Sequence, residues 1–180
     1  MATLRLLGAH QAREAPFACD VWIARPVNTS REDLSSGFVH DTYESQFNGD
    51  FSVAVDRLLA YRLFPPHRMR ACVCTEDGCV RLGATIIQRT FFPPFAIESA
   101  VRVVEFELGP DRLSYSYATV LGHPERGIET FTVIRLGNGV RFEVNGWSRS
   151  GHWLTAAGRP VARALQKMMT REAIDAFAQQ

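Results

Sequence analysis

The spacing of apolar residues predicts an α+β domain, with a curved antiparallel sheet of about seven strands wrapped around a long C-terminal helix and a shorter helix near residues 50–63. Three observations carry this. Between residues 69 and 149, apolar side chains recur at every second position, in runs separated by Gly, Pro, Asn and Asp. From Leu154 the period lengthens to that of a helix, through Ala157, Val161, Leu165, Met168, Met169, Ala173 and Phe177. Such a stripe has to be buried, and the inner face of the sheet is the one large apolar surface the pattern offers.

Taken in order, residues 17–24 read as a first strand and residues 26–38 as loop. Asp50 is a fitting N-cap for a helix in which Phe51, Ala54, Val55, Leu58 and Leu59 keep the helical period, and Pro65-Pro66 stops it. Strands follow at about 69–75, 79–91, 98–108, 112–120, 128–136 and 140–149. Their connections are Asp77-Gly78, Phe92-Pro93-Pro94-Phe95, Gly109-Pro110-Asp111, residues 122–127 and Gly137-Asn138-Gly139, all short enough to make successive strands antiparallel neighbours. Proline is tolerated only in a helix's first turn, so the last helix is expected to begin near Pro160, with residues 151–158 as a lead-in. No linker, repeat or low-complexity stretch divides the chain, which is expected to form one domain over 1–180.

Composition narrows the function classes. With 180 residues, 46% apolar and 22% charged, the chain is neither disordered nor a disulfide-dense miniprotein, and it can bury about 70% of its unfolded surface without a staple. Lys and Arg total 20 against 19 Asp and Glu, yet Lys167 is the sole lysine. The nineteen arginines are scattered without a basic stripe, so they read as codon usage and nucleic acid is not an expected partner. No window reaches the roughly 18 apolar residues of a membrane span. Met1 to Ala9 holds only a short apolar piece broken by Arg5, so a soluble, cytoplasmic protein without a membrane partner is expected.

Four cysteines, Cys19, Cys72, Cys74 and Cys79, need an account. With Asp77-Gly78 as a type I′ loop, Cys72, Cys74 and Cys79 share one strand face, which would allow zinc binding or a Cys74–Cys79 bridge. The spacing is not C-x-x-C, however, and no second pair follows. The preferred reading is free thiols serving as small strand residues, with no metal and no cofactor.

The last hairpin decides which residues face inward. If Asn138-Gly139 forms the loop, Val133 pairs with Val144, Phe131 with Gly146 and Glu129 with Ser148, so Phe131, Val133, Phe142 and Val144 line the core. A three-residue loop, Gly137 to Gly139, would instead oppose Arg135 and Arg141. That like-charge pair favours the first register, although a one-residue slip would move every assignment to the other face. In the preferred register Glu129 ends an apolar row. Near it come His123 and Glu125 of the preceding loop, Tyr115 and Tyr117 of the adjoining strand, and Arg149 as the nearest counter-ion. A histidine, carboxylates, phenols and a guanidinium suit either general acid/base work or capture of a polar group at a pocket mouth. No P-loop, dinucleotide, zinc-protease or serine-nucleophile motif is present.

The order of elements looks like the helix-grip architecture of the START-like and Bet v 1-like superfamily. A sharper resemblance lies in Arg102-Val103-Val104, residues 115–120 (YSYATV), residues 122–133 (GHPERGIETFTV) and Trp147-Ser148-Arg149. These resemble the domain of unknown function 1990 family over about residues 38–178, leaving 1–37 as an N-terminal strand and loop. Ala118 stands where the family has glycine, Ile128 replaces a glutamate and Ser150 a proline. The family has no settled activity, so the resemblance implies a fold and a surface, adding Arg102 and Arg149 through its RV and S-R-P motifs. The leading expectation is a binder of a small hydrophobic molecule held between sheet and C-terminal helix, with Tyr117, Glu129 and Arg149 orienting its polar end. A cofactor-independent cyclase or hydratase using His123 or Glu129 is the alternative, and a non-catalytic interaction domain with a filled cavity is the third. A homodimer is possible on any of them.

Overall fold

The computed structural model describes residues 5–34, 37–150, 168, 171–173, 175 and 177. Its strands are β1 (Arg5–Gly8), β2 (Val39–Asn48), β3 (Met69–Val73), β4 (Thr85–Phe92), β5 (Phe95–Leu108), β6 (Arg112–Thr119), β7 (Glu125–Leu136) and β8 (Gly139–Ser150), and its helices are α1 (Ala9–Glu14), α2 (Cys19–Ile23) and α3 (Phe51–Leu59). The strands form one antiparallel sheet in the order β2-β8-β7-β6-β5-β4-β3, with β1 against the start of β5. The helix expected from near Pro160 lies largely outside the described residues. Those described at its end are helical, and the Phe177 ring stacks on Phe142 at 4.3 Å on the inner face.

Helix α3 follows its sequence signals closely. The Asp50 carboxylate accepts from the Ser52 amide at 2.7 Å, and Phe51, Ala54 and Leu58 turn inward. Its end is a Schellman motif, with Tyr61 N–H to Leu58 O at 3.1 Å and Arg62 N–H to Arg57 O at 2.9 Å. The residue in the left-handed conformation there is Tyr61, φ 52°, at a position where glycine is usual. A tyrosine in that region costs about 1–2 kcal/mol. The helix therefore stops at Leu59, short of the expected residue 63.

On the inner face, α3 and Phe177 cover a core that includes Leu58, Leu63, Ile86, Val101, Leu113, Tyr115, Phe131, Val133, Phe142 and Val144. On the outer face lies the N-terminal segment. Trp22 packs with Ile87, Ala100 and Val120, and Ala12 with Phe91 and Ala96. Arg89, 1% exposed, ties the two layers together. Its Nε donates to Glu98 at 2.7 Å, and its terminal nitrogens donate to the carbonyls of Ala12, Ala15 and Pro16. Glu98 in turn accepts from Trp22 Nε1 and Arg5.

Several expectations need correction. Residues 17–24 hold helix α2 rather than a strand, and the N-terminal region as a whole is a short strand followed by two short helices. An eighth strand, β2, occupies 39–48. The segment after Asp77-Gly78 does not run straight into a strand: Val80 N–H turns aside to cap α3 at the Leu59 carbonyl, and β4 begins at Thr85. The β7–β8 loop is Gly137-Asn138, with Gly137 taking the positive φ of 40° and Leu136 opposite Gly139. Gly139 is held in the strand because a Cβ there would lie 2.7 Å from the Phe47 carbonyl oxygen of β2. The pairing is thus two residues from the preferred register, so facing partners differ but face assignments survive. Finally, Cys19 and Cys74 form a disulfide, so the reading of free thiols fails for these two.

Candidate functional site

The registers of β2, β8, β7 and β6 align inner-face residues into rows. One row is apolar: Tyr43, Val144, Phe131, Tyr115. The next is Asp41, Gly146, Glu129, Tyr117, and the one beyond is Val39, Ser148, Gly127 and Thr119. A sheet face thus passes from apolar to polar within one step, and in both polar rows a glycine stands between the side chains. The gap is a cavity of about 70 Å³, bordered among others by Asp41, Tyr43, Tyr117, His123, Glu125 and Glu129. Gly127 is dictated by the backbone, since a Cβ there would overlap the Trp147 carbonyl oxygen. At Gly146 a Cβ would stand 3.6 Å from the Glu129 carboxyl, in ordinary van der Waals contact, so this glycine widens the gap without being required by the backbone.

Glu129 is the chemical centre of the recess. The Tyr117 hydroxyl donates to its Oε2. Behind them, Gln88 Nε2 donates to the Tyr61 hydroxyl, and a hydrogen bond links the Tyr61 and Tyr117 hydroxyls. The donor order that uses each hydroxyl proton once runs from Gln88 through Tyr61 and Tyr117 to Glu129. Burial pushes the Glu129 carboxyl up to about 7; the Tyr117 hydrogen bond opposes this, and the negative charges of Glu125 and Asp41 add to it. Among the described residues Glu129 takes part in no ion pair. Burial also holds the phenols of Tyr61, Tyr115 and Tyr117 above their usual range, so they stay protonated and each keeps a proton to donate.

His123 is set by its own loop. Its Nδ1 accepts the Glu125 amide N–H at 3.0 Å, which places the ring proton on Nε2. Burial drags its pKa down to about 4, against the Glu125 backbone, so the ring is neutral near pH 7. A neutral imidazole and a carboxyl poised near 7 therefore share one recess.

Of the residues expected at the site, Tyr117, His123, Glu125 and Glu129 come together there. Tyr115 lies one row deeper, its hydroxyl pointing to the Leu58 carbonyl at 3.4 Å. Arg102 and Arg149 do not reach the site, because both alternate to the outer face. Arg102 donates to the carbonyls of Trp22 and Ile23, closing the end of α2. Arg149 lies over the Phe38 ring at 4.7 Å. The counter-ion role expected of Arg149 is thus overturned by strand parity. Asp41, Tyr43, Tyr61 and Gln88 were not anticipated. Tyr61 carried no signal, whereas the alternation of Asp41, Tyr43 and Phe47 in residues 39–48 was a readable one.

Among the described residues, three sulfurs, those of Cys19, Cys72 and Cys74, lie within 4.8 Å of one another on the outer face, well apart from this recess. No helix among the described residues is long and apolar enough to cross a membrane.

An antiparallel sheet whose inner face holds helical segments and a polar recess at one end defines an α+β protein with a small site on the inner face of its sheet. The chain belongs to the family described as domain of unknown function (DUF1990), which matches residues 24–176. No curated protein matches it. Many solved structures resemble it in fold, among them these three. Hypothetical protein jhp0584 from Helicobacter pylori aligns at 16% identity with a TM-score of 0.56, over 92% of this chain and 95% of that one. A protein from Arthrobacter aurescens aligns at 17% identity and 0.51, over 85% and 88%. The lipid transfer and protein localization domain of human StarD13 aligns at 12% and 0.51, over 78% of each.

Proposed function

We propose that this protein binds a small molecule whose polar end enters the recess between Tyr117, His123 and Glu129, its apolar part lying along the inner face beside Tyr43 and Val144. The observation that carries this reading is Glu129: a carboxyl drawn in from solvent, hydrogen-bonded by Tyr117, without an ion pair among the described residues, and bordering open space. Burying such a group is costly unless a partner compensates, and a ligand donor is one such partner. The polar lining and the size of about 70 Å³ suit a hydroxyl, amide or similar head group. The similarity in fold to a lipid transfer domain supports an apolar remainder for the ligand. The test is native mass spectrometry of the protein purified from its own host, beside Glu129→Gln and Tyr117→Phe. A small molecule retained by the parent and lost from both variants supports the reading, and equal retention by all three removes it.

A second reading rests on the contrast between Glu129 and His123. Two groups in one recess with proton affinities driven in opposite directions are the ingredients of general acid/base catalysis, here with Glu129 as the proton carrier and Tyr117 as the donor that stabilises developing charge. Turnover of a retained ligand, abolished by Glu129→Gln while binding persists, would favour it over simple binding.

A further inference from the structure

The cysteine cluster on the outer face does something the recess does not need. Cys72 and Cys74 alternate onto the same face at the end of β3, and Cys19 opens α2 directly over them. Cys19 is bonded to Cys74, while the Cys72 sulfur lies 4.0 Å from the Cys19 sulfur, in contact with the bridge. All three are half-buried, on a patch formed by Trp22, Phe17, Ile87, Ala100 and Val120.

We propose that Cys19, Cys72 and Cys74 form a thiol–disulfide exchange site, in which the bridge from Cys19 passes between Cys74 and Cys72. The step is internal and balanced. The Cys72 thiolate attacks the Cys19 sulfur, a Cys19–Cys72 bond forms as the Cys19–Cys74 bond breaks, and the electron pair leaves on Cys74, which takes up the proton Cys72 gave to solvent. No external oxidant or reductant is consumed. Burial holds the Cys72 thiol above its ordinary value and slows the exchange, and the positive charge of Arg89 offsets part of this.

The consequence lies in what Cys19 holds. Residues 5–23 precede the segment that matches the family, and the bridge joins them to the family's β3. With two alternative partners on one strand face, the N-terminal segment stays clasped when either partner thiol is blocked. With Cys74 as the sole partner, a bridge once reduced and blocked at Cys74 could not re-form.

The test uses the full chain. Cys74→Ser combined with Cys79→Ser leaves Cys19 and Cys72; after equilibration in a glutathione redox buffer, circular dichroism checks the fold and N-ethylmaleimide labels free thiols. The proposal expects a bridged product, two hydrogens lighter and with no labelled cysteine. Two labelled cysteines in a folded variant overturn it. If that variant does not fold, the unmodified protein decides: labelled in mildly alkaline buffer, digested with trypsin and fragmented, it should carry label on Cys72 in some molecules and on Cys74 in others. Label confined to Cys72 and Cys79 overturns the proposal.

Discussion

The two faces of this sheet handle buried charge in opposite ways. On the outer face, Arg89 and Glu98 are almost wholly enclosed, and every hydrogen-bonding arm of Arg89 has an acceptor: a carboxylate, or one of three backbone carbonyls that end α1. On the inner face, Glu129 has one neutral donor, and its charged neighbours are the carboxylates of Asp41 and Glu125. The first arrangement is a closed structure that no ligand could improve. The second is incomplete, and an incomplete polar site beside open space is what a binding role requires. Charge that is structural and charge that is available can thus be separated across one sheet by asking which donors and acceptors are already used.

The comparison breaks first at Arg89. Arg89→Ala leaves Glu98 buried beside only Arg5 and the Trp22 indole, and should lower stability by about 3–5 kcal/mol in urea denaturation. Arg5→Ala, at a half-exposed position, should cost about 1 kcal/mol or less. Equal effects would mean that the outer face is not the closed network its geometry indicates. Next comes the bridge: with Cys19 and Cys74 separated by 55 positions in sequence, its reduction should cost about 2–4 kcal/mol. Because the bridge joins only the N-terminal segment to β3, hydrogen exchange should show opening confined to α1 and α2, leaving β6 to β8 protected.

The same contrast explains what the sequence could and could not disclose. Alternation along residues 129–133 and 142–144 was enough to place Phe131, Val133, Phe142 and Val144 inside with Glu129 among them. That result survived a two-residue error in pairing because face depends only on parity. The arginines resisted reading for the opposite reason: the carbonyl acceptors of Arg89 and Arg102 are some 75 to 80 positions away, on short helices whose five or six residues hold too little period to announce themselves. Strand β2 is legible in the alternation of Tyr43 and Phe47 with His40, Thr42 and Glu44, although Asp41 and Ser45 interrupt its inward apolar row. The Cys19–Cys74 bridge was equally silent, since spacing says nothing about partners brought together by tertiary structure.

On the inner face, pH supplies the sharper test. Glu129 titrates near 7 in the folded chain and near 4.5 when unfolded. Below 4.5 both states hold the proton and it contributes nothing to the pH dependence. As pH rises from 4.5 to 7 the unfolded state ionises while the native state keeps its proton, so stability falls, and above 7 the loss is complete. Glu129→Gln removes this loss. It should be more stable than the parent above pH 7 by about 1–3 kcal/mol, a range reduced for the partial exposure of the carboxyl, and near parity at pH 4.5. His123 works the other way, near 4 folded against 6.5 unfolded: its contribution is whole above 6.5 and disappears as pH falls to 4. The parent should therefore show a flat stability profile where the windows overlap, and Glu129→Gln a profile that rises with pH through it. A flat profile in the variant would remove His123 from the buried groups.

The smallest effect concerns Tyr61, which joins the strained end of α3 to the recess. Tyr61→Phe keeps the ring in the left-handed position, so the backbone strain is unchanged, but it takes away the hydroxyl that accepts from Gln88 and is hydrogen-bonded to Tyr117. Two consequences separate a relay from mere packing. Stability should fall by about 1–2 kcal/mol because the buried Gln88 amide loses its acceptor. In addition, Tyr117 loses the neighbour that polarises it and becomes a weaker donor to Glu129. A weaker donor stabilises the carboxylate less, so the Glu129 midpoint should rise by a few tenths of a pH unit, read from its carboxyl carbon by NMR titration. A midpoint that stays in place while stability drops would reduce Tyr61 to a core side chain and leave Tyr117 as the last residue to act on Glu129.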